Sequence, residues 1–490
     1  VEETKLRYPS WLPPDTNVGS PRGLFFAASI LAVTIVAVTG LKPSSVSDGS
    51  QVQTSDEVSQ SGISPGAEPE IHEDRTVPDG PTDPEADAEV DLDEIMTQAS
   101  SKMLEGPERY VRPVPSGNVH NVANIDQWHH AVGAARPGDT IKLTSTINHV
   151  LQYRGNRAEA SKQTGAHGTA DNPITITAAP NVWIDPGNMS NRKPALDVIN
   201  ASHINIVGVN VRNSQFGLRV INSTGTASSP ILIADSQIND IGHAGIHVIG
   251  RIEDRTPSAH IRIENNVVTR TGSLARQFGE GIYIGYGRQE WLDETTDVAI
   301  VGNHVYETGS EAIDLKPGTR NILVEDNLIH DLSPISGGAI SAHYVGSSDN
   351  PNPDVLAQVI IRRNRIWNVN LDHFPGSNNW AIWVGHGGIT IDQNIIWGMQ
   401  NKPNSTRAVR IRGLRNFGPH PVVVTNNIFW TTTGWASDLS PSPSRVDARG
   451  NQGPKGAKGV EQQIDSPNGV PALGSGGDAD TGGGPGSAFG

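Results

Sequence analysis

One spacing recurs through the middle of the chain and narrows what it can become. Val298, Ile300, Asn303 and Val305 stand at i, i+2, i+5 and i+7, and Ile322, Val324, Asn327 and Ile329 repeat the arrangement. Apolar residues two apart share one face of an extended strand. The motif starts at Ile141, Ile174, Ile204, Ile231, Ile261, Val298, Ile322, Val359, Ile389 and Val422, at steps of 24 to 37 residues. A fixed strand with a variable return path predicts a stack of coils, not a propeller, whose blades need four strands each. At i+5, Asn266, Asn303, Asn327, Asn364, Asn394 and Asn427 can turn a corner and hydrogen-bond from coil to coil. The expected fold class is all-β, a single-stranded parallel β-solenoid of about ten coils over 118–440.

An open strand stack needs an apolar plug at its end. Residues 125–135 read as a short amphipathic helix with Ile125, Trp128, His129 and Val132 on one face. Asn124 can cap its start, and Pro137-Gly138 stops it. The chain has no Cys, so it has neither a disulfide framework nor a thiolate metal site.

Residues 23–41 carry no charge and approach the ~20 apolar residues that cross a bilayer as a helix. Lys5, Arg7 and Arg22 precede them, which predicts a cytoplasmic 1–22 and an exocytoplasmic remainder. The expectation is a single-pass cell-membrane anchor, the alternative a cleaved signal segment and secretion. Residues 43–108 hold 17 acids against Arg75 and Lys102, a net of −15 that equals the charge of the whole chain. The acidity therefore belongs to a disordered, self-repelling linker, and the folded body is balanced. Nothing offers the basic patch that nucleic acid requires. The Gly-rich 445–490 reads as a disordered tail, and a monomer is expected.

The segments ARPGDTIKL and GTADNPITITA, followed by the coil motif, resemble the pectin-lyase-like right-handed parallel β-helix superfamily. Within it they resemble the N-terminal part of polysaccharide lyases of the alginate lyase and chondroitinase B type. The resemblance implies a right-handed β-helix with an N-terminal capping helix. In those lyases one coil carries calcium-binding acids and a Lys base, and the next coil an Arg. Glu311-Ala-Ile-Asp314-Leu-Lys316 is similar to the first part; the next coil reads Ser341-Ala342-His343 and has no Arg.

The second alternating run of each coil points Asp197, Arg219, His247, Tyr283, Asp314, Lys316, Ser341, His343, Trp383, Arg410 and Arg412 outward. Glu280, Glu311, Trp380 and Arg407 stand just before these runs. Eliminating across a uronate needs its carboxylate neutralised and the C5 proton removed. Acids can hold a hard cation through oxygen, and a Lys can take a proton. The candidates are therefore Lys316 as base and His343 as acid. Glu280, Glu311 and Asp314 are candidate calcium ligands. Tyr283, Trp380, Trp383, Arg410 and Arg412 are candidates for binding an acidic polysaccharide. The plain alternative for Glu311, Asp314 and Lys316 is a solvated ion-pair ladder. Gly385-His386-Gly387 and Arg410-Ile411-Arg412 resemble polygalacturonase-type hydrolase motifs, yet the coils hold no Asp-Asp pair. The reading is a lyase on acidic glycan. A non-catalytic surface protein that binds a glycan or a partner is the alternative from another class, and a glycoside hydrolase the further one.

Overall fold

The computed structural model describes residues 110–464 apart from 113, 156–163, 192, 251–255, 288–292, 333–337, 344–357, 370–378, 400–405, 412–419, 431–434, 439–445, 455–459 and 461. The segment 23–41, the linker 43–108 and Arg412 lie outside the described residues. Among the described residues no helix is long and apolar enough to cross a membrane.

Among the described residues three parallel sheets of 12, 11 and 10 strands stack along the domain, and each coil between Ile174 and Asp438 contributes one strand to each. Every motif start identified from the sequence lies in a strand of the first sheet. Ile261, Val298, Ile322, Val359, Ile389 and Val422 are partners in register from coil to coil. Like stacks on like, and these side chains are all nearly or wholly buried. A one-residue slip would turn that whole column outward, so burial fixes the register. The capping helix spans Ile125–Ala134, with Gln127 N donating to Asn124 Oδ1 at 3.0 Å. Trp128 and Val132 are buried against the core, so the helix closes the first coil as the sequence predicts.

The corner asparagines form one continuous line. Each Nδ2 donates to the Oδ1 of the next coil: Asn266 to Asn303, Asn303 to Asn327, Asn327 to Asn364, Asn364 to Asn394, Asn394 to Asn427 and Asn427 to Asn451, all at 2.9–3.0 Å. The same Oδ1 also accepts the backbone N–H of the preceding coil's asparagine, as at Asn303 N to Asn327 Oδ1, 2.9 Å. The second Nδ2 hydrogen reaches a backbone carbonyl, as at Asn327 Nδ2 to Ile300 O, 2.9 Å. Both donors and both acceptor sites of a buried amide are thus used. The residue before each asparagine turns the corner at positive φ, as at Asp326 (54°), Arg363 (54°) and Asn426 (56°). Gly302 serves there too, where a Cβ would stand 2.7 Å from Asn265 Oδ1.

One feature departs from the sequence-based expectation. The first part of the assigned tail carries strands Val446–Arg449, Gln452–Pro454 and Gln462–Ile464, which extend the first two sheets. Asn451 is the last rung of the amide line, so another coil lies within that composition. The chain before the first strand is also tied down. Arg112 pairs with Asp235 at 2.5 Å and with Glu264 at 3.2 Å, across the outer face of the first sheet.

Candidate active site

The third sheet sets the geometry. Strands Ile282–Ile284, Ile313–Leu315 and Ile340–Ala342 bury Ile282, Ile284, Ile313, Leu315, Ile340 and Ala342 in the core. The alternate residues therefore share the opposite face. Register makes that face one column: Arg219, His247, Tyr283, Asp314, Ser341, Trp383 and Arg410 are successive partners. Glu280 and Glu311 immediately precede Gly281 and Ala312 on adjacent coils, which brings them to the same edge of the column.

Glu280, Glu311 and Asp314 converge, each offering an oxygen within 4.8 Å of the others. All three are buried; Asp314 is wholly so, at 0 % exposure. A solvated ladder of surface charges does not describe this arrangement. Lys316 Nζ sits against Asp314 Oδ2, and His343 Nε2 lies 3.2 Å from Asp314 Oδ1. The two contacts set one cationic or titratable partner against each Asp314 oxygen. Glu311 accepts from Ser310 Oγ at 2.5 Å and from Ser341 Oγ at 3.5 Å. The Lys316 ammonium stands 4.7 Å from the centre of the Tyr283 ring, within cation–π range.

Burial and crowding divide the acids. Burial first, and then the Asp314 charge, push Glu280 up to about 8 and Glu311 up to about 7. Burial also opposes the charge on Asp314, but Lys316 and then His343 outweigh it and hold that carboxyl at about 2. For Lys316 burial works against the ammonium. Asp314, Tyr283, Glu280 and Glu311 outweigh it and raise the group above its ordinary value. One carboxylate thus carries its charge against one ammonium, while two neighbours hold protons that a cation would displace.

Three buried hard-oxygen donors within reach of one another, with one ammonium against them, could hold a divalent cation such as calcium. Without one, stability should track pH. A carboxyl raised in the fold contributes stability in full below its unfolded value near 4.5 and loses it as pH rises through its folded value. In chelator, the melting temperature is expected to fall from about pH 5 to pH 8 as Glu280 and Glu311 ionise. Glu280→Gln with Glu311→Gln should flatten that slope. An equal slope in the double variant would assign it to other groups.

The remaining sequence candidates lie further along the column. Trp383 meets His343 with ring centres 4.7 Å apart, and the Arg410 guanidinium lies 4.5 Å from the centre of the Trp380 ring. The hydrolase-like His386 is wholly buried, with Nδ1 2.7 Å from Gly387 O. Two participants were not singled out from sequence. Ser310, next to Glu311, is visible only as a polar neighbour. Gly287 lies so close that a Cβ there would be 2.7 Å from the Tyr283 hydroxyl and 3.4 Å from Lys316 Cε. No periodicity announces a glycine packed against Tyr283 and Lys316.

No family model and no curated protein matches the sequence. Among solved structures, the chain is similar to an alginate lyase from Paenibacillus sp. str. FPU-7 at 19% identity and TM-score 0.51, over 68% of this chain and 99% of that one. It is similar to the pectate lyase Pel9A at 13% identity and TM-score 0.41, over 69% and 80% of the two chains. It is also similar to a lacto-N-biosidase from Eubacterium ramulus at 12% identity and TM-score 0.42, over 74% and 70%. At these identities the likeness is one of fold. The chain folds as a parallel β-helix, the fold it shares with the Paenibacillus enzyme.

Proposed function

We propose that this β-helix binds an acidic polysaccharide on its third sheet and cleaves it by β-elimination beside a uronate. The observation that carries the reading is the buried Glu280–Glu311–Asp314 cluster, with Lys316 wedged against it and Trp383 and Arg410 next on the same column. Lys316 takes the C5 proton, the C4–O bond breaks, and His343 supplies a proton to the leaving oxygen. Arg410 is suited to hold a uronate carboxylate through its planar fork, and Trp383 and Tyr283 offer ring surface to the sugar. Glu280, Glu311 and Asp314 would hold calcium, which supplies charge to neutralise the substrate carboxylate. With the acids so compensated, their hold on the Lys316 proton weakens and burial favours the neutral amine.

A second reading follows from the divided acids. Two carboxyls raised to about 8 and about 7 beside one held at about 2 are the acid and base states that glycoside hydrolysis uses. One assay separates the two, run over a panel of polyuronides with and without chelator. Elimination yields ultraviolet absorbance from unsaturated uronides, lost on chelation and in Glu311→Gln with Asp314→Asn. Hydrolysis yields reducing ends without that absorbance. Binding without either product marks the non-catalytic alternative and overturns both. We further propose that 23–41 anchors the domain outside the cell. The assay on intact cells with polymer that cannot enter reads this; turnover only after lysis overturns it.

A further inference from the structure

A second group of metal-ligating side chains lies away from the carboxylate cluster, on the outer face of the second sheet. Strands His304–Tyr306 and Leu328–Leu332 bury Val305 and Ile329, which turns His304, Tyr306, Leu328 and His330 outward. Register sets His304 beside Leu328 and Tyr306 beside His330. The two imidazoles meet on the diagonal. His304 Nε2 lies 2.6 Å from His330 Nε2, while the ring centres stand 4.9 Å apart. The nitrogens therefore point at each other along the line between the rings.

The surroundings hold one ring and keep the other neutral. His330 lies between Tyr306 and Trp367, with ring centres 5.1 and 4.2 Å away and planes within 6° and 14° of its own. Its Nδ1 stands 2.7 Å from Asp331 Oδ2. A carboxylate oxygen only accepts, so Nδ1 carries the hydrogen and Nε2 of the neutral ring presents a lone pair. Burial, and then His330, hold His304 below its ordinary value, which leaves it neutral near pH 7. Its single hydrogen can sit on Nε2 and bridge to His330. On Nδ1 instead, it leaves a second lone pair facing the first.

We propose that His304 and His330 bind a transition cation of the zinc class through their facing Nε2 atoms, with water completing the coordination. Imidazole nitrogen suits zinc and nickel, whereas calcium prefers oxygen. Tetrahedral zinc at about 2.0–2.1 Å from each nitrogen holds the two about 3.3 Å apart, so the rings need to part by less than about 1 Å. The Asp331 contact is of the kind that orients metal-binding imidazoles and raises their basicity. Among the described residues no third acid or imidazole completes the set, so losing either ring removes the site. The placement gives the ion a structural role. His304 is on the coil that carries Asp314, and His330 on the coil that carries Ser341. A metal at the pair ties these two coils together on the second sheet, while their candidate active residues face out from the third.

The test is zinc uptake by equilibrium dialysis, on the full chain carrying Glu311→Gln with Asp314→Asn to dismantle the carboxylate cluster. Adding His304→Ala or His330→Ala should each remove one equivalent of zinc and the rise in melting temperature that zinc brings. Asp331→Asn should weaken that equivalent by about 10–100-fold. Uptake unchanged by either imidazole variant places the zinc elsewhere and overturns the site. No uptake by the parent overturns it too, and leaves the pair as a shared-proton hydrogen bond. Wild-type protein supplies a readout that needs no substitution. Zinc should protect His304 and His330 from carbethoxylation, followed by peptide mapping, and calcium should not. Equal labelling with and without zinc overturns the proposal. None of these results bears on the glycan reading, which rests on the third sheet.

Discussion

Lys316→Arg is expected to fold, to bind glycan within a few-fold of wild type, and to lose turnover by about 10³-fold. The guanidinium keeps a positive charge against Asp314, so the buried pair survives. It cannot give up a proton near neutral pH, so a base at this position disappears. Lys316→Ala should lose the same activity, and it leaves buried Asp314 facing His343 alone. The arginine variant is therefore the cleaner probe. His343→Ala should cost less, because water can stand in for an acid more readily than for a positioned base. Initial rates on any polyuronide that is turned over provide the measurement. A rate within tenfold of wild type in the arginine variant would place the base elsewhere and reduce Lys316 to a counter-ion.

The second large effect is on stability. Asn327→Ala is expected to cost about 3–5 kcal/mol in thermal or urea unfolding. It strands the Nδ2 and backbone N–H of Asn303, and it removes the donor to Ile300 O. All three groups are sealed from water, so the loss is one of unmade hydrogen bonds as well as lost contact. Asn426→Gly, three coil corners away at φ 56°, should cost well under 1 kcal/mol, because glycine adopts that backbone freely. A similar small cost for Asn327→Ala would mean that the line of amides adds little.

The coils were legible because their signal is periodic. A buried column of Ile and Val two apart, with Asn three further on, can be read without knowing the turns. Alternation also gave the order of side chains along the third sheet, since register carries it from coil to coil. What lay beyond reach was depth. Asp314 faces outward from its strand by period and is nevertheless at 0 % exposure, because Lys316 and His343 close over it. Gly287 lies outside the strands, where no periodicity places a residue. The last coil escaped for another reason: Val446, Ala448 and Asn451 follow the motif amid residues whose glycine content reads as a tail.

The amide line also bears on how such a chain can change length. Each amide from Asn266 to Asn427 gives one proton to the amide oxygen of the next coil, and each oxygen receives from the coil before, in one direction along the line to Asn451. Duplicating one whole coil would insert a donor and an acceptor together and heal the line on both sides. Losing a fraction of a coil would break it and turn a hydrophobic column to water. Growth and shrinkage in this architecture therefore come in whole turns, while the return loops remain free to vary residue by residue. The outward column of the third sheet lengthens or shortens by the same unit.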